Sequence, residues 1–278
     1  MILDNRNQNK DIGKVDLGVL YTILILLAIG VVMIYSASSF YSMFHYNDSM
    51  FYLKKQGIMA VIGLVAMFFM MNFDYHRLKK ITPKLLIITI PLLIAVFFFP
   101  AVNGAKRWIQ LGGLSFQPSE LTKYVVVLFL ALSIDIKGDG IKDFWTGIVP
   151  YLALSGFFAA LVLAEKNLSI AAIIMIVTFI LLFISGGKIK HLFGIVLPTL
   201  LTLAIFFIFS SDYRRARMLN FIDPWKDAAG DGYQLIQSFY ALGSGGITGL
   251  GLGQSRQKTL YMPEPHNDFI FSIIGEEL

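Results

Sequence analysis

Cysteine is absent from all 278 residues, so neither a disulfide nor a thiolate metal site can form. Charge is scarce as well. Asp, Glu, Lys and Arg supply 15% of the chain, where soluble domains average about one quarter. The scarcity comes with long uncharged blocks, and core helices of soluble proteins rarely run about 17 residues without a charge. A water-soluble helical fold is therefore excluded. No cleavable signal peptide is expected: the opening MILDNRNQNKDIGKVD is polar, and no small-residue cleavage site follows a short apolar core.

Apolar residues take the place of the missing charge. They make up 56% of the chain, and the mean hydropathy is +0.69. The expected fold class is all-α, a polytopic transmembrane helical bundle. Seven spans fall near 17–38, 57–73, 85–102, 119–136, 144–164, 168–187 and 192–210, each about long enough for a 30 Å hydrocarbon core. An eighth begins near Asn267. The chain reads as one integral membrane domain, 1–278, with 1–16 as a polar tail, 211–266 as the large loop, and AEKN (164–167) as a tight hairpin.

Orientation follows the Lys and Arg of the short loops. With the N-terminus inside, the inner segments hold Arg6, Lys10, Lys14, Arg77, Lys79, Lys80, Lys84, Lys137, Lys142, Lys188 and Lys190. The outer short loops hold only Lys54, Lys55, Lys106, Arg107 and Lys166. The long loop adds Arg214, Arg215, Arg217, Lys226, Arg256 and Lys258 on the outside. Long loops weigh less in topology, so an inner N-terminus is expected and the outer cations need a purpose. Within that loop, 234–242 reads as a short helix that cannot span. The glycine cluster 243–253 reads as a packing corner or a site of close approach to a headgroup. It is not a Walker A loop, since no Lys-Ser or Lys-Thr closes it.

Chemistry-bearing residues gather at the outer face. In NGAKRWIQLGGLSFQPSELTK (103–123), Lys106, Arg107 and Trp108 precede a helix start with Ser119 as N-cap. Glu120 and Lys123 are three residues apart, so they can pair. An interfacial belt of snorkelling cations would use the same residue types, but ionisable groups at a membrane boundary are functional candidates. Glu165 and Lys166 read as a solvated hairpin tip. Arg214, Arg215 and Arg217 suit either anionic lipid or a phosphate clamp. After the extended PEPHND, Asp268 is either an ordinary N-cap or a partly desolvated base facing those cations. Such a set fits attack on a lipid-linked phosphorylated substrate, with cations on a diphosphate leaving group. Glu276 and Glu277 lie deeper and need partners.

Three ordered stretches, NGAKRWIQLGGLSFQPSELTK, DPWKDAAGDGYQLIQSFYALGSGGITGLGLGQS and MPEPHNDFIFSIIGEEL, resemble the SEDS family (shape, elongation, division and sporulation) across essentially the whole chain. FYLKKQ (51–56) and FYALGSGGITG look most like its FtsW/SpoVE branch. The resemblance implies a fold of about ten membrane helices, so this chain is expected to be part of a longer protein. It further implies a peptidoglycan glycosyltransferase of the bacterial cytoplasmic membrane that polymerises lipid II in division or sporulation. Asp268 would be the catalytic residue, with Lys106, Arg107, Trp108, Glu120, Lys123, Arg214, Arg215 and Arg217 around the substrate. The implied partners are lipid II, undecaprenyl-diphosphate-linked glycan, a class B penicillin-binding protein and membrane lipids, with no nucleic acid. No resident cofactor is implied, though a divalent cation, magnesium or manganese, could assist. One family feature is missing: where RodA-type members read PDLG, this chain reads KNLS at 166–169. A lipid II flippase without glycosyltransferase chemistry, or a division scaffold, would also use buried polar groups.

Overall fold

The structure is a computed structural model and describes residues 15–102, 104–111 and 114–278. Arg6, Lys10 and Lys14 lie outside the described residues, as do Asn103, Gly112 and Gly113 of the first motif. The described chain forms two compact units, 15–73 with 208–278, and 74–207.

The first unit begins with α1 (Leu17–Tyr46) and α2 (Phe51–Met71). Asp16 starts α1 by accepting from the Gly18 and Val19 amides, and Asn47 ends it in the left-handed conformation. Both helices are apolar on every side, and α2 buries no residue at all. Val61, Val65 and Phe69 stand exposed; in a bilayer these faces meet lipid. The unit continues with α8 (Asp212–Ile222), α9 (Tyr233–Gly245) and α10 (Ile270–Glu277). Met33 and Ala37 of α1 meet Ala241 of α9, Met262 of the following loop and Ile273 of α10 in a small, fully buried core.

The second unit holds α3 (Tyr75–Phe98), α4 (Pro118–Lys137), α5 (Phe144–Ala164), α6 (Leu168–Ile184) and most of α7 (Ile189–Phe209). A short antiparallel hairpin, β1 (Ile109–Leu111) with β2 (Leu114–Phe116), precedes α4. Val125, Val126 and Leu130 of α4 pack with Phe158 and Val162 of α5 and Ile174 and Leu182 of α6 in the larger core.

All seven expected spans are helices, but their limits differ. α1 runs on to Tyr46, α2 starts at Phe51 and α3 at Tyr75. The added turns carry Lys54, Lys55, Arg77, Lys79, Lys80 and Lys84, whose stems can lie along apolar surface while their heads reach water. Five helices are long and apolar enough to cross a bilayer: α1, α2, α3, α5 and α7. α4 falls outside that group because Glu120, Lys123, Asp135 and Lys137 sit on it, and α6 because it has 17 residues. The loop after α7 is more ordered than its turn-rich sequence suggests, since Asp212–Ile222 forms a helix.

Candidate functional site

Asp268 lies just ahead of α10. The expected helix start at Asn267 or Asp268 moves to Ile270, with Phe269 as a cap that offers no side-chain bond. Two prolines and Glu264, whose φ is +43°, fold 263–269 into turns instead of the expected extended strand. The Asn267 amide donates to the Glu264 carbonyl at 3.1 Å, and the Ile270 amide to the Asn267 carbonyl at 3.4 Å. Asp268 is exposed and is not the N-cap. Among the described residues none forms a hydrogen bond or ion pair with its carboxylate.

The rest of this loop is tied down. Met262 is fully buried, and His266 is buried with its ring centroid 4.0 Å from that of Tyr52 and 5.4 Å from that of Tyr41. Burial holds the imidazole below the ordinary histidine range, against an opposing pull from Glu264. The acid thus projects from a loop whose neighbours are fixed.

The three arginines are on α8. Arg214 donates to the Ser210 hydroxyl at 3.0 Å, and Arg215 pairs with Asp212 at 3.0 Å. Arg217 lines a pocket of about 340 Å³ with Gly230, Asp231, Tyr233, Gln234 and Pro263. Pro263 belongs to the Asp268 loop, so Arg217 is the member of the trio whose pocket borders that loop.

Lys106, Arg107, Trp108, Glu120 and Lys123 belong to the second unit. Lys106 Nζ donates to the Phe97 carbonyl at 2.8 Å. Arg107 Nε donates to the Glu165 carbonyl at 3.3 Å, and its Nη2 donates to the Lys166 carbonyl. Lys166 Nζ returns a bond to the Gly104 carbonyl at 3.3 Å. Arg107 and Lys166 stitch the loop to the α5–α6 hairpin, while Lys106 ties it to the end of α3. Trp108 is half-buried. Helix α4 starts one residue early: Pro118 takes the first helical position, where its missing N–H costs nothing, and Ser119 is buried inside the turn instead of capping it. Glu120 and Lys123 pair at 2.8 Å as their spacing suggests.

Glu165 corrects the reading of a solvated tip. It is 1% exposed, and among the described residues neither carboxylate oxygen has a hydrogen-bond partner of ordinary geometry. Asn167 caps α6 by accepting from the Ile170 amide, and Arg107 covers the hairpin carbonyls, so the short turn folds Glu165 inward. Burial pushes its carboxyl up to about 7; the nearby Ser119 hydroxyl and the Arg107 charge pull down but do not prevail.

The sequence also assigned no partner on this chain to Glu276 and Glu277, and counted Lys258 as an outward loop cation. All three are buried together. Lys258 Nζ donates to Glu277 Oε1 at 2.8 Å and to Ser36 Oγ at 3.1 Å, while Ser36 Oγ lies 2.9 and 2.7 Å from the two Glu277 oxygens. The Ser255 amide donates to Glu277 Oε1 at 3.3 Å. Glu276 accepts from the Ser255 hydroxyl, from the Ser244 hydroxyl at 3.2 Å and from the Arg256 amide at 3.0 Å. Among the described residues no three His, Asp or Glu side chains gather closely enough to hold a metal ion.

Long apolar helices with broad exposed faces, and a long polar loop that ends in an exposed acid just ahead of a helix, define a multi-pass membrane protein with a site at one face. The family described as cell cycle protein, which groups FtsW, RodA and SpoVE, matches residues 17–278, and the chain belongs to it. It is 40% identical over 267 residues to the probable peptidoglycan glycosyltransferase FtsW of Geobacter sp. (strain M18), covering 95% of this chain and 72% of that one. It is 39% identical over 269 residues to stage V sporulation protein E of Bacillus subtilis (strain 168), again covering 95% and 72%. Among solved structures, a chain from a peptidoglycan synthase complex that coordinates polymerization and crosslinking aligns with a TM-score of 0.70 at 26% identity, over 94% of this chain and 70% of that one. Rod shape determining protein RodA of Thermus thermophilus aligns with a TM-score of 0.56 at 26% identity, over 68% and 58%.

Proposed function

We infer that this chain is a peptidoglycan glycosyltransferase that polymerises lipid II at the outer face of the bacterial cytoplasmic membrane, with Asp268 as general base. The observation that carries the role of Asp268 is its exposed carboxylate, without a partner among the described residues, on an otherwise anchored loop. A base must be free to take its proton, and one already spent on a helix cap would not be.

The donor is a glycan α-linked to undecaprenyl diphosphate, and the acceptor is the 4-hydroxyl of the GlcNAc of lipid II. Asp268 takes the hydroxyl proton as the oxygen attacks the donor anomeric carbon. The anomeric carbon–phosphate oxygen bond breaks, and its electron pair leaves on the diphosphate. Inversion gives the β-1,4 link. Arg217, with Arg214 and Arg215 on the same helix, offers charge to the leaving diphosphate. Lys106 and Arg107 brace the other loop through carbonyls, with Trp108 beside them and the Glu120–Lys123 pair at the head of α4. The N-terminus faces the cytoplasm, and a class B penicillin-binding protein supplies the crosslinking partner.

Full-length protein with that partner and labelled lipid II, resolved on a gel, tests the reading. Asp268→Asn lowers polymer formation by about 10²–10⁴-fold, the usual worth of a general base. Equal polymer from wild type and Asp268→Asn overturns the assignment. No polymer from either, with lipid translocation in vesicles, favours a flippase.

A further inference from the structure

The buried cluster around Glu277 does more than satisfy an acid. Lys258 and Glu277 bracket Asp268 in sequence, and between them residues 259–269 form turns with no strand or helical ladder. Local turn bonds and the buried Met262 and His266 fix the middle of the segment, but they do not fix its two ends. The ends are closed by Lys258 and Glu277. Lys258 and Glu277 meet at 2.8 Å, and Ser36 of α1 joins both, 241 residues from Glu277 along the chain. On the other side of α10, Glu276 is held by Ser255, Ser244 and the Arg256 amide. The backbone closes the same joint: the Leu250 and Gly251 amides donate to the Glu276 and Glu277 carbonyls at 2.9 and 3.0 Å.

Stability alone is a poor reason for such an arrangement. A buried ion pair repays its desolvation only with good geometry, and apolar replacements of similar volume are often as stable or more so. What a fully bonded buried pair does supply is a single arrangement of its neighbours. We propose that Lys258 and Glu277, bridged by Ser36, are positioning residues for Asp268. They close the segment that carries it and seat that segment against α1, without touching the reacting atoms. The inference rests on Asp268 being the base.

Misplacing a reacting group by about 1 Å can cost about 10²-fold in rate while leaving substrate binding largely intact. The test uses full-length protein with its partner, labelled lipid II, and initial rates over a range of lipid concentrations. Lys258→Met with Glu277→Gln removes both charges together, which folding tolerates better than an unpaired buried charge. Ser36→Ala removes one hydroxyl and no charge, and carries the test should the double variant fail to fold. Melting temperature in detergent checks that each variant is folded. The expected result is a kcat lowered about 10- to 100-fold in the double variant and several-fold in Ser36→Ala, with KM for lipid II within about twofold of wild type. Lys258→Arg, which keeps the charge and donors, restores most of the turnover. Wild-type kcat in a folded variant, or a loss carried by KM alone, overturns the proposal. Asp268→Asn measured in parallel separates the two failures. If it polymerises normally, the base assignment falls and the positioning role with it. If it is inactive while folded clamp variants turn over normally, only the clamp falls.

Discussion

Gly249 shows how narrowly single residues are specified near the acid. Its φ is +68°, a region costly for side chains other than glycine, and an added Cβ would lie 2.5 Å from the Glu277 carbonyl oxygen. Gly245 is as constrained, since its Cβ would lie 2.0 Å from the Gly275 carbonyl oxygen. Both let the corner after α9 lie against the backbone of α10. Gly249→Ala is expected to cost about 1–3 kcal/mol from backbone strain and overpacking, read as a lower melting temperature of the purified protein. A packing corner was one of two readings open for the glycine cluster, and the close approach to α10 bears it out. The partner of Lys258 was not legible. Its acid lies 19 residues away, its serine 222 away, and no local periodicity signals so distant a pairing. Asp268 was expected to begin or cap the helix, but the helix starts at Ile270, and the turn that Glu264 and the two prolines impose leaves the acid ahead of the cap.

At the level of elements, the helices were readable because apolar runs of such length have few other solutions. Their ends were less so, since a helix continues past the hydrocarbon edge wherever lysine and arginine stems can follow it. The α5–α6 hairpin was found, but not which way Glu165 turns within it. That choice depends on Arg107, 58 residues earlier, taking the hairpin carbonyl. A pH dependence follows from it. The folded-state value of Glu165 lies above its ordinary 4.5, near 7, so the folded protein holds this proton more tightly across that window. Its contribution to stability is full below about 4.5 and is lost as pH rises through about 7. His266 runs the other way: burial lowers its value from 6.5, so its contribution is present above that and fades as pH falls. Glu165→Gln separates the two. Between about pH 5 and 8, the melting temperature of the variant relative to wild type is expected to rise with pH, because the variant never has to bury the ionised carboxylate. A difference that stays flat over that range would mean that Glu165 does not titrate there.

For the whole molecule, charge along the chain decides orientation, and the two kinds of loop disagree. The short loops place their lysine and arginine excess with the N-terminus. The 211–266 loop offsets it with Arg214, Arg215, Arg217, Lys226, Arg256 and Lys258. The structure removes part of that conflict. Lys258 is buried against Glu277 and Arg215 is paired with Asp212, so neither is an unattached cation facing a surface. Long loops also cross with little regard to charge. An inner N-terminus then puts the α4–α5 turn in the cytoplasm and the α8–α9 loop outside, on the side where lipid-linked donor and acceptor would meet Asp268. Cysteine is absent from these 278 residues, so a thiol introduced here is directly readable once any cysteine elsewhere in the full-length protein is replaced by serine. Asp139 is 91% exposed at its side chain in the first of these turns, and Lys226 is 78% exposed in the second. In full-length protein in spheroplasts, a membrane-impermeant maleimide is expected to label Lys226→Cys at once, and Asp139→Cys only after lysis. The opposite pattern would invert the topology and place Asp268 on the cytoplasmic side, where polymerisation of lipid II at the outer face would be impossible.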